Sequence, residues 1–312
     1  MCDPDVSVII VAKNEEKTIE SCLKSVFNQS HEPFEVILVD GRSTDSTVEK
    51  AKNFPVKIII ETGKGSPSNA RNLGAQNASG EILLILDADA ELDYDCIKNA
   101  LKYFRNPQVL TVFPFLEIRV HTFLEKIQQQ WFYGTRSRFR TATGTGSAIV
   151  FIRRDVFLSV KYDPEIGFGD DSDFRRRLAK IHPENKEITR PKDVKVFIDL
   201  PHSFFELYSQ NLWYGRTSYK YYARYHSYDA FIRLGSILLP FFTLLSGLVT
   251  ILFPSIFYIY ILLFGLLLLR NILACYRARS KHFFEFILFD FARSVFYVLG
   301  IIQGIFITKT GR

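Results

Sequence analysis

Two aspartates one residue apart, Asp87 and Asp89, close the apolar run of ILLILDADAEL at 82–92. In an extended segment, positions i and i+2 lie on one side, so both carboxylates face the same way. Hard oxygen ligands suit Mg2+ or Mn2+, and magnesium sites commonly combine one or two carboxylates with substrate phosphates. A calcium loop is the competing metal use of D-A-D-A-E. It fails because the sixth position is Leu92 rather than glycine and the twelfth is Lys98 rather than glutamate. Alone, the pair reads equally well as a solvated strand-to-loop transition.

Other acids stand at comparable places. Asp40 ends the strand-like EVILVD, and Asn14-Glu15 follow SVIIVAK and open a helix. Asp170 and Asp171 precede FRRRLAK, where Asp170 is expected to cap a helix whose dipole both acids favour. Glycine-rich phosphate cradles are missing. No G-x-G-x-x-G follows the first strand, and GKGSPS at 63–68 has Gly65 where a P-loop needs Ser or Thr. Dehydrogenase and P-loop chemistry are thereby excluded, and any phosphate bound here needs another source of positive charge.

The elements that must position these groups alternate between strand and helix. Strands are expected at 7–11, 34–40, 56–60 and 82–87. Helices are expected at 15–27, at 46–53 with Asp45 as N-cap, and at 68–77. Runs such as VIILV and ILLIL are apolar on both faces, which predicts an α/β fold with a mostly parallel, doubly covered sheet. Such sheets bind ligands beyond the carboxyl ends of their strands.

Charge divides the chain. Of 39 basic and 33 acidic residues, 270–312 hold seven and two, 203–233 hold four and two, and 234–269 hold none, leaving 28 and 29 in 1–202. The basic excess thus lies beside an uncharged run of 36 residues, a membrane pattern rather than that of a nucleic-acid binder. As one helix the run would extend about 54 Å against a hydrocarbon core of about 30 Å. With Pro254-Ser255 near its middle it predicts a hairpin of two spans, about 234–253 and 255–275, with Arg270 snorkelling. A third segment, about 286–307, is expected to pack on the hairpin; it holds Asp290 and Arg293 at helical spacing. Residues 203–233 interleave aromatic and basic side chains and are expected to form interfacial helices. The basic loop with Arg277, Arg279 and Lys281 predicts a cytoplasmic side, shared by the N-terminal domain across an even number of crossings. Four scattered cysteines and an acidic start, MCDPD, fit a reducing compartment and a domain that is not exported.

The segments VAKNEE (11–16), VDGRSTDST (39–47), ARNLGAQNASGE (70–81), LDADAEL (86–92) and GFGDDSDFRRRL (167–178) occur in order. Together they closely resemble the family 2 glycosyltransferases of the GT-A fold over roughly residues 6–220. The resemblance implies a catalytic domain at 1–202, a juxtamembrane region at 203–233 and a transmembrane region at 234–308. It implies that Val11, Glu15, Asp40, Arg71 and Asp87 line a nucleotide site, Asp40 meeting the base and Asp87 the ribose. It assigns Asp89 and His202 to the metal and Asp171 to the general base, with Asp170, Gln210, Trp213 and Arg216 supporting the donor or acceptor site. VAKNE departs from the family's P-x-Y-N-E version, with Val11 and Lys13 in place of proline and the aromatic, which leaves base stacking and base identity open.

The expected function is inverting transfer of a sugar from a UDP- or GDP-linked donor to a hydroxyl, on a lipid or lipid-linked glycan. The alternative is a polyprenyl-phosphate sugar synthase, whose acceptor phosphate is already ionised and needs no base; Asp171 favours the hydroxyl. A processive polysaccharide synthase fits less well, since QNLWYGR only echoes Q-x-x-R-W. A nucleotidyltransferase would start with a glycine-rich basic loop, and a catalytically dead scaffold would lack Asp89 or Asp171.

Overall fold

The computed structural model describes residues 4–63, 65–136, 148–226 and 228–309. Among these, one compact unit comprises 4–119, 148–165 and 169–199; the other comprises 120–136, 166–168 and 200–309. The helix Phe123–Arg136 falls in the second unit, so the first is not continuous in sequence.

The first unit opens with β1 (Val6–Ala12), α1 (Ile19–Phe27), β2 (Glu35–Asp40), α2 (Thr47–Ala51), β3 (Lys57–Ile60), α3 (Pro67–Asn77) and β4 (Ile82–Asp87). It continues with β5 (Ala90–Leu92), α4 (Cys96–Phe104), β6 (Thr111–Phe113) and β7 (Phe115–Ile118). After α5 (Phe123–Arg136), which lies in the second unit, come β8 (Val150–Arg153), α6 (Arg154–Val160), α7 (Asp170–Ile181), β9 (Ile188–Thr189) and β10 (Lys195–Ile198). Seven strands form a sheet in the order β3-β2-β1-β4-β8-β6-β9, and β5-β10-β7 form a second, smaller sheet. β3, β2, β1 and β4 run parallel, while β8 is antiparallel to β4. The order reverses beside β1, where open α/β sheets leave their ligand crevice.

Alternation along each strand supplies both faces. Val8, Ile10, Leu38, Leu84 and Leu86 pack under α1 and α4, and Ile9, Ile37, Val39, Leu83 and Ile85 pack under α3, α6 and α7. Gly74 lets α3 approach β1, since a Cβ there would overlap Ile9. The turn into α1 begins at Glu15, whose carbonyl accepts from Ile19 N, but regular helix starts only at Ile19. Ser46 occupies the N-cap of α2; Asp45, expected there, instead accepts from Thr47 N at 3.0 Å. Its side chain also reaches the opposite loop, accepting from Glu16 N at 3.1 Å.

The second unit consists of α5, α8 (Phe204–Arg224), α9 (Tyr228–Leu252), α10 (Phe257–Ala278) and α11 (Phe283–Lys309), with a short 3-10 turn at Pro254–Ile256. Leu234–Leu252 and Pro254–Ala278 are long and apolar enough to cross a membrane. Their apolar faces are widely uncovered: Ile251 is 76% and Tyr258 81% exposed. α8 and α11 meet backbone to backbone. A Cβ on Gly215 would overlap the Tyr297 carbonyl, one on Gly300 the Leu212 carbonyl, and one on Gly304 the Arg216 carbonyl. Gly300 and Gly304 make a G-x-x-x-G stripe, the usual means of such close approach.

Pro240 interrupts α9, and its neighbours meet the freed backbone groups. The Ser236 carbonyl, four residues back, accepts from the Arg270 guanidinium. Ser294 Oγ donates to the Ile237 carbonyl at 2.7 Å and accepts from Phe241 N at 3.2 Å. Arg270 also pairs with buried Asp290, which in turn faces Arg293 at 3.6 Å and accepts from Asn271 Nδ2 at 3.2 Å. Arg270 therefore does not snorkel as expected; a buried carboxylate and an open carbonyl offer it partners inside the bundle.

Candidate active site

The C-terminal ends of β1, β2 and β4 come together by register. Ala12 stands beside Asp40 and Val11 beside Asp87, so the two aspartates flank β1 about 10 Å apart, two strand spacings. The loops after β1 and β2 then lock onto one another. Asn14, in the left-handed conformation at φ 59°, accepts from Thr44 N at 2.8 Å, and its own N donates to Ser43 Oγ at 2.9 Å. Glu15 N donates to Thr47 Oγ1 at 2.8 Å and Glu16 N to Asp45 Oδ2 at 3.1 Å. This network, and not only the strands, sets where Glu15 and Asp40 sit.

Asp40 is buried, accepting from Ser43 N at 3.0 Å and Ser43 Oγ at 2.5 Å. Each oxygen keeps a lone pair for a ligand. The Glu15 carboxyl is pushed up by burial; the Thr18 hydroxyl, 2.9 Å away, opposes this, and the charges of Asp87 and Asp45 reinforce it. Val11 is half-buried beneath the same edge.

Arg71, buried on α3, joins two parts of the site. Its Nη2 lies 3.0 Å from Asp87 Oδ1, its Nη1 2.8 Å from Asp170 Oδ2, and its guanidinium 5.2 Å from the Tyr162 ring centroid. Burial would weaken its hold on the proton, but Asp87 and Asp170 outweigh burial and raise its pKa. Asp170 also accepts from Ser68 Oγ at 2.8 Å. It is pushed up to about 6 by burial, against the pull of Arg71 and with the push of Asp171. Gly169, not Asp170 as expected, is the N-cap of α7, at φ 89° where glycine is favoured. Asp170 is the first helical residue, and it accepts from Asp171 N at 2.8 Å as well as from Arg71 and Ser68. Asp171, the next residue, accepts only from Ser172 N at 2.7 Å among the described residues.

Asp89 sits in the corner where the chain leaves the large sheet at Asp87 and enters the small one at Ala90. Its side chain reaches solvent, yet protein crowds it on its other sides. That crowding, then the charges of Asp87 and Glu15, push its pKa up to about 7. No cation faces it among the described residues. An accessible carboxylate with no cation beside it among the described residues fits a hard divalent cation. No group of three potential metal-binding side chains occurs among the described residues, so Mg2+ or Mn2+ here would draw its remaining ligands from phosphate and water.

Glu91, next along, has a function the sequence did not suggest. Arg119 Nη1 donates to Glu91 Oε2 at 2.8 Å and its Nε to Asp199 Oδ1 at 3.2 Å. One guanidinium thus pins β5 to the end of β10, immediately after the Asp89 corner. Nothing around Arg119 in the sequence marks it, because its partners are 28 and 80 residues away.

In the second unit, His202 Nδ1 lies 2.5 Å from Oε1 of buried Glu125, which also accepts from His121 N and Thr122 N. Gln210 and Trp213 are exposed on α8, and Arg216 Nη2 donates to Gln303 Oε1 at 2.6 Å. These four are described within that unit alone.

Residues 7–160 match the model of the Glycosyl transferase family 2. The chain is 35% identical over 108 residues to a dolichyl N-acetyl-alpha-D-glucosaminyl phosphate 3-beta-D-2,3-diacetamido-2,3-dideoxy-beta-D-glucuronosyltransferase of Methanococcus voltae, covering 32% of this chain and 34% of that one. It is 40% identical over 93 residues to glycosyltransferase AglE of Haloferax volcanii, covering 28% and 31%. The matches thus span about a third of the length of these curated relatives. Among solved structures, a mannosyltransferase of Pyrobaculum calidifontis with GDP-Man and Mn2+ superposes with a TM-score of 0.61 at 18% identity, covering 98% of this chain and 88% of that one. TarS of S. aureus superposes at 0.51 with 18% identity, covering 92% and 90%. These likenesses establish the GT-A fold. With the strand-end carboxylates placed as described and the family model matched from β1 through α6, residues 7–160 form a family 2 glycosyltransferase domain.

Proposed function

We propose that the protein transfers a sugar, with inversion, from a nucleotide sugar to a hydroxyl of a lipid or lipid-linked glycan at a membrane face. The observation that carries this reading is the convergence of Asp40, Glu15, Asp87 and Asp89 at the switch point, with Asp171 joined to them through Asp170 and Arg71. Asp40 accepts from the base, and Asp87 faces the ribose. A divalent cation at Asp89 would supply positive charge to the departing diphosphate. Arg71 holds Asp87 and the start of α7 in fixed relation, so nucleotide and base stay aligned. The acceptor oxygen attacks the anomeric carbon as the bond to the diphosphate oxygen breaks. Its proton passes to Asp171, whose second oxygen has no other duty among the described residues.

Lipid-linked acceptors are supported by the likeness to the dolichyl-phosphate-sugar transferase of Methanococcus voltae and by two helices apolar enough to cross a membrane. We place the catalytic unit on the cytoplasmic side, from the basic loop after α10. His202, whose Nδ1 lies 2.5 Å from Glu125 Oε1, is a further metal ligand by the family resemblance.

The test uses full-length protein in detergent with Mn2+. Asp89→Ala is expected to lose donor binding, and Asp171→Asn to bind donor as wild type while transfer falls at least about a hundredfold. Normal transfer by Asp171→Asn would remove the base and turn the acceptor toward a phosphate.

A further inference from the structure

The site contains two cations that the mechanism above does not use. Lys13 follows β1 and Arg42 follows β2, and both reach toward Gly65, beyond β3. A Cβ built on Gly65 would lie 3.1 Å from Arg42 Nη2 and 3.6 Å from Lys13 Nζ. Neither cation has an ion-pair partner among the described residues, although Glu15 follows β1 and Asp40 ends β2.

Three features show that this convergence is built. Arg42 is held at φ 64°, a region residues other than glycine seldom occupy. The turn that holds it is closed by both Ser43 bonds to Asp40. The Lys13 stem lies along Gly41, where a Cβ would be 3.2 Å from Lys13 Cβ. Gly65 itself, at φ 69°, is fixed by buried Glu61, which accepts from Gly65 N and Gly63 N at 2.9 Å each.

Resting on the nucleotide-sugar reading, we infer that Lys13 and Arg42 complete a guanine-selective base pocket with Asp40, so that the donor is a GDP-sugar. The base edge must offer donors to a carboxylate and acceptors to two cations at once. Guanine does: N1–H and N2–H2 face Asp40, while O6 and N7 accept from Arg42 and Lys13, a pairing arginine and lysine favour. Uracil has one N–H between two carbonyls and no N7, so it satisfies the carboxylate through a single bond.

The experiment measures dissociation constants of GDP, UDP and 7-deaza-GDP with Mn2+ on the full chain in detergent, for wild type, Arg42→Gln and Lys13→Gln. GDP is expected to bind at least about tenfold tighter than UDP, and 7-deaza-GDP about tenfold weaker than GDP. In the Arg42→Gln protein the 7-deaza penalty disappears. Equal or tighter UDP binding, or no 7-deaza penalty in wild type, overturns the guanine assignment and leaves the transferase reading standing. A penalty that survives both substitutions overturns the roles of the two cations. If neither diphosphate binds with Mn2+, the nucleotide-sugar reading falls and this inference with it.

Discussion

Asp89 has the most consequential ionisation in the catalytic unit. An exposed aspartate titrates near 3.9, and Asp89 is pushed to about 7 by crowding, Asp87 and Glu15. A raised carboxyl pKa means the folded state prefers the proton, so Asp89 weakens folding as pH rises from about 4 to 7. A divalent cation binds the ionised form and reverses that loss. Mn2+ is therefore expected to raise the melting temperature more at pH 8 than at pH 6, with affinity about tenfold lower at pH 6. Asp89→Asn should flatten this dependence; an unchanged pH profile in that variant would move the metal elsewhere. The positions of Asp40, Asp87 and Asp89 beyond apolar strands were legible in the sequence, but their expected roles rest on the five motifs read together, since acids there alone also fit a solvated turn. Arg119 was not, since the contacts that give it meaning to Glu91 and Asp199 form only when β5 pairs with β10.

At the level of elements, strands and helices of the catalytic half followed from periodicity, with errors at their ends. α1 starts later than the pattern suggested because the loop–loop bonds of Asn14, Glu15 and Glu16 claim its first turn. The contact between α8 and α11 was not foreseen at all. Aromatic and basic residues made α8 read as a helix lying at an interface, yet Gly215, Gly300 and Gly304 bring it into backbone contact with α11. Gly300→Leu is expected to destabilise the helical unit by about 2 kcal/mol or more through overpacking, seen as an earlier thermal transition in detergent. Leu299→Ala, next to it and 42% exposed, is the matched control and should change little. Equal effects in both would mean the glycine contact does not matter to stability.

Taken whole, the molecule joins a sheet whose charges balance to a helical unit whose outer faces are apolar. Carbonate washing of membranes is expected to leave the full chain in the pellet, whereas release into the supernatant would argue against spanning helices. Composition alone determined this division, because 36 consecutive uncharged residues have no polar face to turn to water. The sequence by itself also determined the fold class and the candidate acids, since strand periodicity and strand-end chemistry are local properties. Tertiary structure alone decided that Arg71 bridges Asp87 and Asp170, that Arg270 meets Asp290 and the Pro240 break, and that Lys13 and Arg42 converge on Gly65. Each of these joins residues far apart in the chain, and no local pattern of side chains encodes which distant charge will be brought within 3 Å of another.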